Sequence, residues 1–310
     1  METTYYSSPP RNHVGLDWVD SLIRAGEIAR RVRARVPELV VAGARMVDVA
    51  ERIEELIRQL GGRPAFPCNI SVDSVAAHYS PPPGDLSTIP SNSVVKIDFG
   101  VEVEGFIADT AITITDTATG ELLKTAVEEA LKAALKVAAA NVRVSAIGAV
   151  VQNTLARYGV KPIKNLTGHE IQRYNLHAGV SIPNVAAGDD ARLVEGHVYA
   201  VEPFATVAAG SGVVVDASPA TIYRLNPRQP TRKTTSEEAV LLKNIEERFN
   251  GLPYSLRWLK DLGDIDVLHQ RFVRTGRVKA YPLLVEKTGK PVAQAEHTIL
   301  VERDGCTVIT

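Results

Sequence analysis

Two aspartates stand inside otherwise apolar sequence, at Val94-Val95-Lys96-Ile97-Asp98-Phe99-Gly100 and at Phe106-Ile107-Ala108-Asp109. The stretch reads as two strands joined by a turn at Glu104-Gly105, where glycine is free to take positive φ. Side chains alternate faces along a strand, and a two-residue loop pairs positions whose numbers sum to an odd value. Asp98 and Asp109 therefore share a face, opposite or diagonal, roughly 5–8 Å apart. Desolvated anions at that range stay charged only with a cation between them; the alternative is two edge-strand carboxylates in water. Glu202 lies in the apolar run Val198-Tyr199-Ala200-Val201, with Pro203 interrupting the strand at the acid. Glu296 lies in a further strand-like run, where alternation sends His297 to the other face. His169 and His177, eight apart in glycine-containing, strand-prone sequence, form a candidate pair. Arg173, four residues after His169, rules out the helical zinc pattern. Four carboxylates carry a charge that two divalent cations balance. One imidazole among oxygen donors suits Mn, Fe, Co or a hydrolytic Zn pair, rather than a thiolate-closed zinc. A two-metal site polarises a carbonyl and acidifies a water, which is the chemistry of hydrolysis.

The elements that must position these residues follow from periodicity. Apolar spacing predicts helices over 17–36 and 44–60, the second stopped by Gly61-Gly62. A short strand over 66–72 precedes Ala76-Ala77-His78-Tyr79. His78, between apolar neighbours, reads there as a hydrogen-bonded core residue. A long Ala/Leu/Lys/Glu helix is predicted over 119–141 and another over 146–158, capped by Ser145 and ended by Gly159. This second helix pair echoes the first, and each pair precedes strand-rich sequence, as in a duplicated half. Residues 219–279 turn rich in Arg, Glu and Leu with helical spacing, notably over 236–249 and 256–272, and read as an inserted helical subdomain. Residues 1–13 are polar with Pro9-Pro10 and read as a mobile arm before a catalytic domain spanning 14–310. His13, His197 and His269 carry no assigned role, His197 standing in a solvated turn.

A chain of 310 residues, 45% of them hydrophobic, can bury a large core. A net charge of −1 offers no field for nucleic acid or an anionic membrane surface. Two cysteines, Cys68 and Cys306, exclude a disulfide framework and fit a reducing compartment. The N-terminal residues lack a charged region followed by an apolar core, and no apolar run reaches spanning length, so neither a secretory leader nor a membrane span is expected.

Lys96-Ile97-Asp98-Phe99-Gly100, Gly105 to Ala111, Thr167-Gly168-His169-Glu170-Ile171, Val201-Glu202-Pro203-Phe204 and Gln294-Ala295-Glu296-His297-Thr298 resemble, in order and spacing, the five metal-ligand motifs of methionine aminopeptidases. The likeness runs from about residue 15 to the C-terminus. It implies the α/β pita-bread (creatinase/aminopeptidase) fold, two α+β halves related by a pseudo-twofold with metals between them. It implies Asp98, Asp109, His169, Glu202 and Glu296 as ligands of two divalent ions (Co, Mn, Fe or Zn), with Glu202 also taking the water's proton. His78 and His177 would contact substrate, and Phe66 and Leu176 would line the methionine pocket. The 93 residues between Glu202 and Glu296 resemble the insertion of the type 2 enzymes, and the early start of the catalytic region resembles their short archaeal-style form. The resemblance further implies peptide and nascent-chain N-termini as substrates, association with the ribosome, a monomer, and a cytoplasmic location. Prolidases and aminopeptidase P share the fold but usually carry an N-terminal domain for which Asp98 lies too early. Non-catalytic binding proteins on this fold typically lose ligands, and all five stand here.

Overall fold

The structure is a computed structural model that describes residues 18–187, 190–226 and 235–310. The arm expected over 1–13, and His13 with it, lies outside the described residues. In chain order the helices are α1 (Trp18–Arg33), α2 (Val36–Leu39), α3 (Met46–Gln59), α4 (Ala118–Val137), α5 (Val144–Arg157), α6 (Ser236–Phe249) and α7 (Asp266–Arg274), with a 3-10 helix at Leu256–Leu262. The strands are β1 (Arg63–Val72), β2 (Val75–Ala77), β3 (Val94–Val103), β4 (Phe106–Thr115), β5 (Val160–Pro162), β6 (Thr167–Gln172), β7 (Asn175–Pro183), β8 (Val198–Val201), β9 (Phe204–Val207), β10 (Val214–Leu225), β11 (Val278–Glu286), β12 (Val292–Gln294), β13 (Glu296–Val301) and β14 (Cys306–Val308).

One large antiparallel sheet organises the molecule, in the order β1-β3-β4-β13-β8-β6-β7, with β14 paired to β13. Each helix pair packs an apolar core against it. Leu22, Ala25, Ala29 and Val32 recur at helical spacing on α1 and join α3, β1 and β3 in one apolar core. Leu123, Val127, Ala130 and Leu131 of α4 join Ile147, Val151 and Leu155 of α5 against β8 and β13 in a second. The echo of helix pairs in the sequence thus corresponds to two cores, one built around each pair.

The helix boundaries differ from the periodicity in instructive ways. α1 ends at Arg33, and Pro37 does not follow a helix but opens α2, at a position where the missing N–H is not needed. Ser145 is not a cap: α5 begins at Val144 after Arg143, whose extended backbone makes the entry without a side-chain bond. α4 ends at Val137, where Ala138 turns extended, and its cap is Thr117, whose hydroxyl accepts from the Gly120 N–H at 2.9 Å.

The stretch over 219–279 is helical only in its middle. Residues up to Leu225 continue β10, and β11 resumes at Val278 to pair with it. The helix expected over 256–272 breaks at Gly263 (φ 75°) into the 3-10 turn and α7. Between these strands α6, α7 and the 3-10 turn close a core of their own around Leu241, Tyr254 and Phe272. Within it lies His269, fully buried, with Nε2 2.9 Å from the Tyr254 hydroxyl.

A buried ion pair ties this helical segment to the body. Arg257 meets both carboxylate oxygens of Glu54 on α3 at 2.9 and 2.7 Å, and its Nε donates to the Pro81 carbonyl at 2.7 Å. The Trp258 indole N–H and the Cys68 amide also donate to Glu54. Truncating one partner leaves the other charge buried and unpaired, so Arg257→Met is expected to cost about 3–5 kcal/mol in chemical denaturation. Combining it with Glu54→Leu is expected to recover part of that loss; an unchanged midpoint in the single variant would show the pair to be irrelevant to stability.

Candidate active site

The hairpin turns where its sequence demands. Val103 pairs with Phe106 across Glu104 (φ 53°) and Gly105 (φ 84°), the two positive φ values of a type I′ turn. The register then sets Asp98 opposite Ala111 and Asp109 opposite Gly100, so the two aspartates are diagonal neighbours on one face. The next strands extend this logic. Glu296 is opposite Ala111, which shares the face of Asp109. His297 is opposite Val201, and one step further along that ladder sets Glu202 against Glu296. His169 is opposite Ala200, which shares the face of Glu202. β3, β4, β13 and β6, with the residue that follows the end of β8, thereby present Asp98, Asp109, Glu296, His169 and Glu202 on the same face. His297, on the other face, meets the Thr310 hydroxyl at 2.9 Å.

These five residues floor a cavity of about 220 Å³. His169 Nε2 lies 3.7 Å from Asp109 Oδ2 and 3.7 Å from Glu202 Oε1. Ligand atoms of Asp109, His169 and Glu296 all fall within 4.8 Å of one another. The Gln294 amide nitrogen reaches Glu296 Oε2 at 3.2 Å and Glu202 Oε2 at 3.4 Å. Asp98 Oδ1, Asp109 Oδ1 and Glu296 Oε1 are buried without any hydrogen-bond donor. Burial pushes the Asp98 carboxyl up to about 7, and it raises Asp109, Glu202 and Glu296 well above the carboxylate range, with their mutual repulsion adding to it. Such a set is costly as bare anions. Orphaned oxygens converging beside an imidazole nitrogen fit hard or borderline divalent cations.

The histidines divide by geometry. The His169 ring nitrogen Nδ1 stands 3.4 Å from the Glu170 carbonyl, an acceptor, which leaves Nε2 as a lone pair facing the acids. Burial holds its pKa down at about 4, so it is neutral and able to ligate. His177 lies with its ring centroid 4.4 Å from that of His169. Its side chain is open to solvent at the mouth, yet the protein around it depresses its pKa, with His169 and His78 adding to the effect. His78 is no ordinary core residue. Its backbone is left-handed (φ 69°), its Nδ1 donates to the Pro282 carbonyl at 3.2 Å, and its ring meets Tyr281 edge-on. A non-glycine residue held there is strained, and such strain concentrates at functional sites. Phe66 and Leu176 also line the cavity.

All nine residues singled out in the sequence reach this one cavity. Others in the cavity or bonded to its acids went unread. Gln294 shares the face of Glu296 two residues away, a signal alternation could have supplied. Asn69, opposite Asp98 with a buried unpartnered amide oxygen, left no local signal. Neither did Ile222 and Tyr281, which pair across β10 and β11 in the cavity wall. His197 is not merely solvated: its Nδ1 pairs with Glu170 Oε1 at 2.9 Å.

The comparisons with known proteins agree with this architecture. The model of metallopeptidase family M24 matches residues 20–302. A methionine aminopeptidase of Thermococcus onnurineus is 42% identical over 299 residues, covering 95% of this chain and all of its own. Among solved structures, a thermophilic Arx1 superposes with a TM-score of 0.81 at 19% identity, covering 96% of this chain and 91% of its own. The methionine aminopeptidase of Thermotoga maritima superposes with a TM-score of 0.69 at 20% identity, covering 97% of this chain and 99% of its own. At those identities the structures speak for the pita-bread fold alone, while the sequence matches span the chain. The chain belongs to metallopeptidase family M24.

Proposed function

We propose that this protein removes the N-terminal methionine from peptides and nascent chains, preferring a small, uncharged second residue. The observation that carries this reading is the convergence of one imidazole and four carboxylates, from four strands of one sheet and the residue that follows a fifth, on the floor of a single small cavity. The full-length similarity to methionine aminopeptidases supports it. The cavity is smaller than pockets for drug-sized ligands and suits one side chain and the bond beside it.

Asp98, Asp109, His169, Glu202 and Glu296 would hold two divalent ions, with Co, Mn, Fe and Zn all compatible with the donors. When bound, such a pair supplies Lewis acidity at the scissile carbonyl and acidifies a water. Glu202, steadied through Oε2 by Gln294, accepts the proton of the attacking water. His177, neutral at the mouth, donates to the charge that develops on the former carbonyl oxygen. His78 has its Nδ1–H committed to Pro282, so its Nε2 lone pair is free to accept from the scissile amide N–H. Phe66 and Leu176 enclose the methionine side chain and keep water from it. The three helical segments within the 93-residue interval between Glu202 and Glu296 support the insertion-bearing type 2 subgroup. On this reading the enzyme works in the cytoplasm as a monomer, on chains leaving the ribosome.

The test is cleavage of Met-Ala-Ser beside Ala-Pro. Release of methionine from the first, none from the second, loss on chelation and recovery with added divalent metal are expected. Cleavage of Ala-Pro alone would point to a prolidase, and cleavage of neither to a binding protein.

A further inference from the structure

The wall of the cavity formed by β10 and β11 is graded in charge. Ile222 and Tyr281 face each other across the two strands and both line the cavity. Two residues further along each strand, on the same face, Arg224 is opposite Lys279. The step is about 7 Å, so the cations stand just beyond the cavity lining, with Lys279 exposed to solvent. The Arg224 Nε donates to the Gly251 carbonyl at 2.6 Å, and the Lys279 ammonium sits 5.2 Å from the centre of the Tyr281 ring. Neither forms an ion pair with a carboxylate among the described residues. Like charges directly opposite on adjacent strands destabilise a sheet, so a juxtaposition of this kind at a rim calls for an anion. Both cations also disfavour protonation of His177. At the other end of the same wall, Asp216 is opposite Leu284 and acts on His78 with the opposite sign.

We propose that Arg224 and Lys279 form a carboxylate subsite at the mouth of the cavity, which binds an anionic group of the peptide downstream of the scissile bond. The proposal rests on the aminopeptidase reading and adds a preference to it. An extended peptide advances about 3.3–3.6 Å per residue, so the subsite lies within reach of the third to fifth residues of the substrate. The carboxylate has two sources: an acidic side chain at those positions, or the C-terminus of a short peptide.

The experiment compares Met-Ala-Ser as free acid with its C-terminal amide, and amidated Met-Ala-Ser-Glu-Gly with its Gln and Lys counterparts. The expected result is a kcat/KM about three- to ten-fold higher for the anionic member of at least one set, carried mainly by KM and fading as ionic strength rises. Preference in the first set alone assigns the subsite to the C-terminal carboxylate, and in the second to the side chain. The ratio is expected to fall to about one in the Arg224→Gln/Lys279→Gln double variant. Because Arg224 also holds Gly251, Lys279→Glu provides a second variant at an exposed position, and should reverse the preference toward the Lys peptide. Equal rates for all peptides in the wild type, or a preference untouched by either variant, would overturn the subsite. Failure to release methionine from any of them would instead overturn the aminopeptidase reading.

Discussion

Asp109→Asn is expected to lower divalent-metal affinity by at least about 100-fold while leaving the fold intact. Outer partners of metal ligands typically cost about 10–100-fold when mutated, and a direct ligand costs more. An amide keeps the shape of the carboxylate but loses its charge and is a poorer donor. The scaffold does not depend on that charge, because Asp109 is held by its backbone: its N–H donates to the Thr298 hydroxyl at 2.7 Å and its carbonyl accepts from the same hydroxyl at 2.9 Å. Without metal, the substitution even relieves repulsion among four crowded acids, so the stripped variant should be no less stable than the stripped wild type. Elemental analysis and calorimetric titration of the metal-free protein measure the first expectation, and thermal unfolding the second. Two metals bound with unchanged affinity would remove Asp109 from the ligand set.

The histidines should separate cleanly. His78→Ala and His177→Ala are expected to keep near-normal metal content and lose turnover, His177→Ala by on the order of 10²–10³ in rate, the usual loss for one donor aimed at developing charge, and His78→Ala through loss of the acceptor that orients the scissile amide. His169→Ala is expected to weaken metal binding, with activity partly restored by excess metal. The geometry behind the division is that the His169 Nε2 faces Asp109 and Glu202, while His177 lies beyond it at the mouth and His78 comes from another segment. Metal stoichiometry beside kcat on Met-Ala-Ser for all three variants decides it. Loss of a metal from His177→Ala with both retained in His169→Ala would reverse the roles. Unslowed turnover in both His78→Ala and His177→Ala would make them packing residues.

What the sequence by itself determined is what short-range geometry determines. The hairpin was legible because Glu104-Gly105 tolerates the positive φ its turn requires, and alternation then left Asp98 and Asp109 on one face whatever the rest of the chain did. The helices were legible from their apolar spacing, with errors at ends such as Pro37 and Ser145, where several starts satisfy the same local rules, and at Gly263, which breaks the helix expected over 256–272. The helical character of 236–249 was legible, its borders were not, because strand ends at Leu225 and Val278 are defined by pairing with each other. Resemblance to a family supplied a ligand set, but no local rule set Glu296 beside both Asp109 and Glu202. The tertiary structure decided that, by inserting β13 between β4 and β8. It also decided that His78 is held in a left-handed backbone against Pro282 and Tyr281, that Arg257 reaches Glu54 across the molecule, and that Arg224 stands opposite Lys279 across β10 and β11. Alternation fixes which way a side chain points from its own strand. Which strands become neighbours is set by the joint burial of two helix pairs on one sheet, a property of contacts far apart in the chain.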